Sequence, residues 1–544
     1  MKQLSHNGVL VPKYEARGFH ILFKGKKMLL TADQEEMTVA WVKKLETEYA
    51  KDKVFARNFF DDFGAVLGVK EKISPEDIDF SEIIKIVEKE RNEKINMSRE
   101  EKKRLTEERK KIRENNKEKY GYVTVDGERV EVSNYVVELG SIFMGRGKHP
   151  LRGRWKKGAK ESDITLNLSP DSKVPTGNWK QIVWESDFMW IAKWDDKLRR
   201  KEKYVWLSDT SRIKQDREIE KFDKARELEK EYETVKKHII ENLSSEDLKR
   251  RKIATVCYLI DALSMRVGDE KDEDEADTVG ATTLTKDNVI IKDNNLVKFD
   301  FLGKDSVRWE KELILPEQVV KNLKEFILNS QSIIFDGVRS ENVKFFLNEV
   351  VAGLTPKAFR TYHATKAVDD YLKNNNVSKD ELEDYKKYFA TIANLQAAIV
   401  CNHKKTLPKN WDQTLQKRVE RLKTLKEKIN EKRKISIAVL EQRIKRLEEM
   451  KMTEKRKLKL KDYDNKLKIL KTKRMTEKEE EKIKKMELKI ETMKETRDYN
   501  LNTSLKSYID PRVYLMWCKK VNFDWKKYYP KTLQRKFSWI EEKE

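Results

Sequence analysis

Residues 413 to 497 are so densely charged that only a thin apolar stripe remains to hold them together. Leu415, Val419 and Leu422, then Ile437, Leu440, Ile444 and Leu447, then Ile483, Met486, Ile490 and Met493 recur three and four apart, the period of one helix face. A stripe this narrow suits a coiled-coil seam, so the segment is expected to form two or more long helices folded back as an antiparallel coiled coil. Thr476 with Glu479 reads as a capping box that starts the last arm. An antiparallel pair brings the chain back to where it left, which makes neighbours of the segments on either side.

Those flanks have ordinary patterning. Residues 1 to about 80 mix short apolar runs with aromatic clusters such as VFARNFFDDFG, as in a small α+β unit, and residues 82 to 118 read as helices with long solvated faces. A hairpin follows in YVTVDGERVEV around an Asp126-Gly127 turn. SIFMGRGKHPLRGRWKKG reads as a loop, and DITLNL, IVWESDFMWIAKW and KYVWLS as strand-like pieces. From about Ser211 helix dominates; in SSEDLKRRKIATVCYLIDALSMR, Ser245 is placed to cap a helix whose Leu248, Val256, Ile260 and Leu263 share a face. A second hairpin, NNLVKFDFLGKDSVRWEKELIL, alternates Val297, Phe299 and Phe301 up to a Gly303-Lys304 turn.

Charge narrows the partner. Lys plus Arg (118) exceeds Asp plus Glu (95) by 23, a surplus that suits a polyanion, most often nucleic acid. Acidic residues are plentiful too, so a folded basic surface laced with ion pairs fits better than a polycationic tail. Cys257, Cys401 and Cys518 form no C-x-x-C pair, which gives no support to a disulfide scaffold or a cysteine zinc site. The P-loop and H-E-x-x-H spacings are absent, and the acidic run GDEKDEDEAD lacks the alternation of a calcium loop. No cofactor, metal or nucleotide is therefore expected. Without a signal core or a run of roughly 20 apolar residues, the chain reads as soluble and intracellular, with no membrane partner.

Several residues carry chemistry only in company. In the glycine-rich basic loop, Arg146, Lys148, His149, Arg152 and Arg154 can cradle a phosphate or simply meet solvent. Arg266 ends an apolar helical run, where an ion pair with the acidic run beside it is the plainer reading. Arg360 closes an amphipathic stretch, His403 follows an apolar helix, Lys304 sits at a hairpin tip, and Tyr508 lies in NLNTSLKSYIDPRVYLMWCKK. Each has an ordinary structural explanation when taken singly.

Taken in order, RVGDEKDEDEADTVG, FDFLGKDSVR, GLTPKAFRTYHA, IVCNHKK and SLKSYIDPR closely resemble the eukaryotic type IB DNA topoisomerases. HNGVLVPKYE, NFFDDF, MGRGKHP and SKVPTGNWK extend the resemblance through the N-terminal half, and core-like sequence begins almost at Met1, so the family's long basic N-terminal extension is expected to be missing. The resemblance implies that Tyr508 is the nucleophile and forms a 3′-phosphotyrosine on duplex DNA. It implies that Arg266, Arg360 and His403 donate to the phosphate oxygens, and that Lys304, on a hairpin suited to the minor groove, protonates the departing 5′ oxygen. Arg146, Lys148, His149, Arg152 and Lys357 are the expected DNA contacts, with Arg146 assisting from the opposite lobe of a clamp.

By the same resemblance the fold is an α+β multidomain clamp. It comprises a mixed α/β N-terminal lobe (1–210), a mostly α catalytic lobe with a β-hairpin (211–407), an antiparallel coiled-coil linker (408–497) and a small helical C-terminal domain (498–544). The enzyme would act as a monomer, in the nucleus, on supercoiled double-stranded DNA without ATP or metal.

Some residues depart from the family's pattern. The usual T-S-K-x-x-Y is here Thr503-Ser504-Leu505-Lys506-Ser507-Tyr508, which moves the lysine one position toward the tyrosine, and Ser507 replaces a customary asparagine beside the site where camptothecin-type poisons lodge. A weaker camptothecin response is expected. Val267 and Asp269 replace an alanine and an asparagine. Two other readings compete: a tyrosine recombinase, whose H-x-x-R is here Lys357-x-x-Arg360, and a catalytically inactive DNA-binding coiled-coil scaffold.

Overall fold

The computed structural model describes residues 1–145, 149–269, 279–303, 307–408, 410–450, 453–472 and 477–542. Arg146, Lys148, Lys304, Thr476 and all of the acidic run after Asp269 lie outside the described residues, and so do the expected contacts and the capping box that rest on them. The fold is mixed α/β, with several small sheets among many helices. It divides into two compact units, one built on Met1–Glu220 and one on the described residues from Lys221 onward.

In the first unit the expected hairpin pairs Tyr122–Val125 with Glu128–Glu131. Asp126 and Gly127 both take positive φ, 51° and 87°, the conformation a two-residue turn between twisted strands requires. Leu4–His6 adds to its edge. A four-stranded sheet holds Gln181–Val183, Thr165–Asn167, Trp190–Asp196 and Lys201–Trp206 in that order, its first pair parallel and the others antiparallel. A separate aromatic core forms where helix Lys53–Leu67 packs Phe55, Phe59, Phe60 and Phe63 against Trp41, with Phe59 stacked at 4.6 Å. Helices Ser81–Asn96 and Arg99–Tyr120 bury almost nothing, in keeping with their charged faces.

The second unit has one large core running from Ala225 to Tyr362. Helix Leu248–Leu263 crosses it and buries Val256, Ile260 and Leu263, whereas Leu248 is exposed. Its N-cap is Asp247, whose carboxylate accepts from the Lys249 N–H at 2.9 Å; Ser245 lies too far upstream to reach the first turn. The second hairpin pairs Leu296–Gly303 with Val307–Ile314 and turns Val297, Phe299 and Phe301 into the core. Helices Pro356–Asn374 and Glu383–Val400 pack against each other.

The charged segment folds as Trp411–Glu448, Glu454–Thr472 and Glu477–Glu495, the latter two lying along the first. Arg433 Nε donates to Leu470 O at 2.9 Å, Lys471 pairs with Glu441 and Lys426 with Glu487, so the first helix runs opposite to the other two. Burial along it is sparse: Ile429 and Ile444 on one side, Ile483, Leu488 and Ile490 on the other. No helix among the described residues is long and apolar enough to cross a membrane.

Candidate active site

The site is assembled where two helices end. Helix Glu383–Val400 stops at Cys401, and Asn402 adopts the left-handed conformation with φ 53°. Asn402 N donates to Ile399 O at 3.1 Å and His403 N to Ala398 O at 2.8 Å, the paired bonds that close a helix through an αL residue. His403 is thereby turned back over the helix end. Helix Leu248–Leu263 also ends on a left-handed residue, Ser264 at φ 50°. Beyond it, Arg266 O and Val267 O accept from Ala281 N and Thr282 N at 2.8 and 2.7 Å, which anchors the half-buried Arg266.

Arg360 bridges the two ends. Thr355 in extended conformation and Pro356 at the first position start its helix, which points the side chain inward one turn later. Only 5% exposed, its guanidinium donates from Nη1 to Ser264 O at 3.1 Å and from Nη2 to Cys401 O at 3.0 Å. Nη2 also meets His403 Nε2 at 3.2 Å, while Nε has no partner among the described residues. An unmade bond on a buried donor costs about 1–3 kcal/mol.

Tyr508 closes the pocket from the far side of the charged segment. His403 O accepts from Asn500 N at 2.7 Å, Lys405 N donates to Asp498 O at 2.9 Å, and Lys404 bridges to Tyr499, so the two ends of that segment are stitched together. Asn500 caps the short helix Leu501–Ser507, which carries Tyr508 at its end. Thr365, five residues beyond Arg360 on the same helix, donates its hydroxyl to Tyr508 O at 3.2 Å and accepts from Asp510 N at 3.1 Å. The Tyr508 ring lies 5.0 Å from the Arg360 guanidinium carbon and 5.0 Å from the His403 ring centroid.

His403 has a defined tautomer in this arrangement. A guanidinium can only donate, so Nε2 accepts from Arg360 and the proton sits on Nδ1, 2.7 Å from Ser504 Oγ. Burial, reinforced by the positive charges of Arg360 and Arg266, pushes its pKa down to about 3. The imidazole is neutral, and the same influence marks Arg266 as electrostatically part of the pocket.

The structure thus brings together Arg266, Arg360, His403 and Tyr508. Lys357 is exposed in the first turn of the Arg360 helix. In the first unit, His149 is buried against Phe143, and its ring nitrogen Nδ1 accepts from Leu151 N. Arg152 donates to Asp52 at 2.7 Å, holding the carboxylate that caps helix Lys53–Leu67, and Arg154 pairs with Asp62. Gly153 is required between them: at φ 90°, a Cβ there would lie 2.1 Å from Phe55 O. Arg152 and Arg154 therefore tie this turn to helix Lys53–Leu67 and its cap. Ser504, Thr365 and Lys311 surround the site without having been singled out in the sequence; only Lys311 left a signal there, as a lysine on the inward row of a strand.

Residues 1–207 match the family model for the DNA-binding fragment of eukaryotic DNA topoisomerase I, residues 210–436 that for its catalytic core, and residues 480–544 the C-terminal topoisomerase domain. DNA topoisomerase 1 beta of Arabidopsis thaliana is 35% identical over 99% of this chain and 58% of its own length. The DNA topoisomerase 1 of Daucus carota is 33% identical over 98% of this chain and 71% of its own, and that of Homo sapiens 30% identical over 99% and 70%. The chain thus spans somewhat over half of the Arabidopsis relative and more than two thirds of the other two. With all three modules matched in order around a pocket built by the second and third, the chain belongs to the eukaryotic DNA topoisomerase I family.

Proposed function

We propose that this chain is a type IB DNA topoisomerase that nicks one strand of duplex DNA through a 3′-phosphotyrosine at Tyr508, lets the free end rotate, and reseals it. The observation that carries this reading is the convergence of Arg360, His403 and Tyr508 in one cationic pocket. A phosphodiester under attack gathers negative charge on its nonbridging oxygens, and fixed cationic donors aimed at them lower the barrier. Arg266 and Arg360 suit that task because guanidinium stays charged and can donate twice. Lys304 is proposed as the general acid for the 5′ oxygen. The phosphotyrosine keeps the energy of the broken bond, so neither ATP nor metal is needed for resealing.

His403 enters this scheme by a switch. Donation from Nε2 to a phosphate requires Arg360 Nη2 to release that nitrogen and the neutral ring to change tautomer, Nδ1 giving up its proton as Nε2 takes one up, after which the Ser504 hydroxyl donates to Nδ1. DNA would trigger the exchange by offering Arg360 a better acceptor. Arg146, Lys148, His149, Arg152 and Lys357 are proposed to contact the DNA backbone, a nuclear location is proposed, and the clamp scheme with boundaries near 210, 407 and 497 is retained as a monomer. Ser507 is proposed to weaken camptothecin trapping, and Ser507→Asn to strengthen it; equal trapping in both proteins would overturn that.

The test is relaxation of negatively and positively supercoiled plasmid in EDTA without ATP, with Tyr508→Phe as control. Wild type should relax both and the variant neither. DNA binding without relaxation by wild type would leave an inactive scaffold.

A further inference from the structure

We infer that Lys311 is a positioning residue for the reaction, holding in place the two helix ends from which Arg266 and His403 project. It lies on the hairpin strand Val307–Ile314, directly opposite Phe299. Along that strand Trp309 and Leu313 face inward while Arg308, Glu310, Glu312 and Ile314 are exposed, and Lys311 falls on the inward row. A lysine there surrenders hydration, and burial lowers its pKa, with the charge of Arg360 adding to the effect. Packing alone would favour an apolar residue at such a position.

What the ammonium meets explains its presence. Nζ lies 3.3 Å from Leu263 O and 3.4 Å from Val400 O, the final carbonyls of helices Leu248–Leu263 and Glu383–Val400, and 5.5 Å from the Trp309 ring centroid. Arg360 donates to the very next carbonyls in each chain segment, Ser264 O and Cys401 O. Two cations therefore brace the same pair of helix ends at consecutive peptide units. Last-turn carbonyls lack intrahelical partners and carry the negative end of the helix dipole, which is where a cation stabilises most.

The spacing gives this brace its function. Arg266 follows Leu263 by three residues, and His403 follows Val400 by three. Lys311 thus fixes the take-off point of both donors, and Lys304 lies seven residues before it in sequence. When Arg360 turns its guanidinium toward a phosphate, Lys311 keeps the helix ends together. The inference rests on the topoisomerase reading and adds a residue to it.

The experiment measures single-turnover cleavage by the full chain on a duplex oligonucleotide whose short cleaved strand dissociates, trapping the covalent complex. Wild type, Lys311→Met, Lys311→Arg, His403→Gln and the Lys311→Met/His403→Gln double variant are compared for cleavage rate, duplex affinity and thermal midpoint. Displaced catalytic groups can cost up to about a hundredfold, so Lys311→Met is expected to slow cleavage roughly tenfold with affinity little changed. Lys311→Arg should restore most of the rate, and the loss should shrink in the His403→Gln background because the two act through one another. Should Lys311→Met not fold, Lys311→Gln carries the same comparison. Wild-type cleavage by Lys311→Met, or an identical loss in both backgrounds, would overturn the inference while leaving the enzyme reading intact. A wild type that binds duplex but forms no covalent complex would remove the enzyme reading, and this inference with it.

Discussion

Ser504 Oγ lies 2.7 Å from His403 Nδ1. The pair joins residues 101 positions apart, one on each side of the long charged segment, and both are buried. Ser504 also accepts the Tyr508 N–H through its carbonyl at 2.9 Å, so a single residue orients the histidine ring and fixes the start of the tyrosine backbone. Ser504→Ala strands Nδ1–H in a buried site and should lower stability by about 1–3 kcal/mol. Cleavage should slow more than binding weakens, since the imidazole loses its orienting partner. Chemical denaturation and single-turnover cleavage measure the two effects, and an unchanged cleavage rate would show that His403 needs no such partner.

Much of the architecture can be read from local pattern. Asp126-Gly127 announces its hairpin because few residues tolerate two positive φ angles in succession, and Val297, Phe299 and Phe301 show their inward face by period two. The helix cap at Asp247 is not legible in that way, because a serine two positions earlier has equal chemistry and only the backbone angles select between them. The site is harder still. Thr365 looks like any helical threonine, and its bonds to Tyr508 and Asp510 cross 143 and 145 residues. Lys311 interrupts an apolar row visibly, yet nothing local says that two helix ends lie opposite it.

Acid should destabilise the protein through His403. Its folded pKa, about 3, is below the ordinary value of 6.5, so the unfolded chain binds the proton that the folded pocket refuses. The contribution is complete above pH 6.5 and is lost as pH falls toward 3, with about 2 kcal/mol gone by roughly pH 5. His6, lowered to about 4 by burial in the first unit, acts with the same sign. Thermal melts from about neutral pH downward should show the wild type losing stability faster than His403→Gln. Parallel curves would mean that the imidazole is protonated in the folded pocket.

Thr365 ties the Tyr508 backbone to the helix of Arg360 by both ends of one hydroxyl. Valine keeps the shape and removes both bonds, leaving Tyr508 O and Asp510 N without that partner. Thr365→Val should cost about 1–3 kcal/mol and slow cleavage, whereas Thr365→Ser should recover most of the rate. Asp510 remains held by Arg226 and Arg512 at 2.9 Å each, so the C-terminal helices should stay folded. Equal cleavage by the valine and serine variants would mean that those contacts alone position Tyr508.

The charged arm can be separated from the pocket because its base is closed independently. Lys404 with Tyr499, Lys405 with Asp498 and His403 with Asn500 form a bridge below the helices, and Lys484 and Lys485 pin the returning arm to Glu381 and Asp384. Joining Asn430 to Lys482 through a short Gly/Ser turn keeps the Lys426 to Glu487 pairing and discards the rest. Cleavage by this shortened chain should stay within about threefold of wild type, since Tyr508 is held by Ser504 and Thr365 and distant sites act independently. Duplex affinity distinguishes the arm's two possible roles. Each phosphate neutralised contributes about 0.9 to the slope of log affinity against log salt, so a shallower slope in the shortened chain would assign DNA contacts to the arm. An identical slope would make its charges a solvated helix face, and a collapse of cleavage would show that the bridge depends on the helices above it.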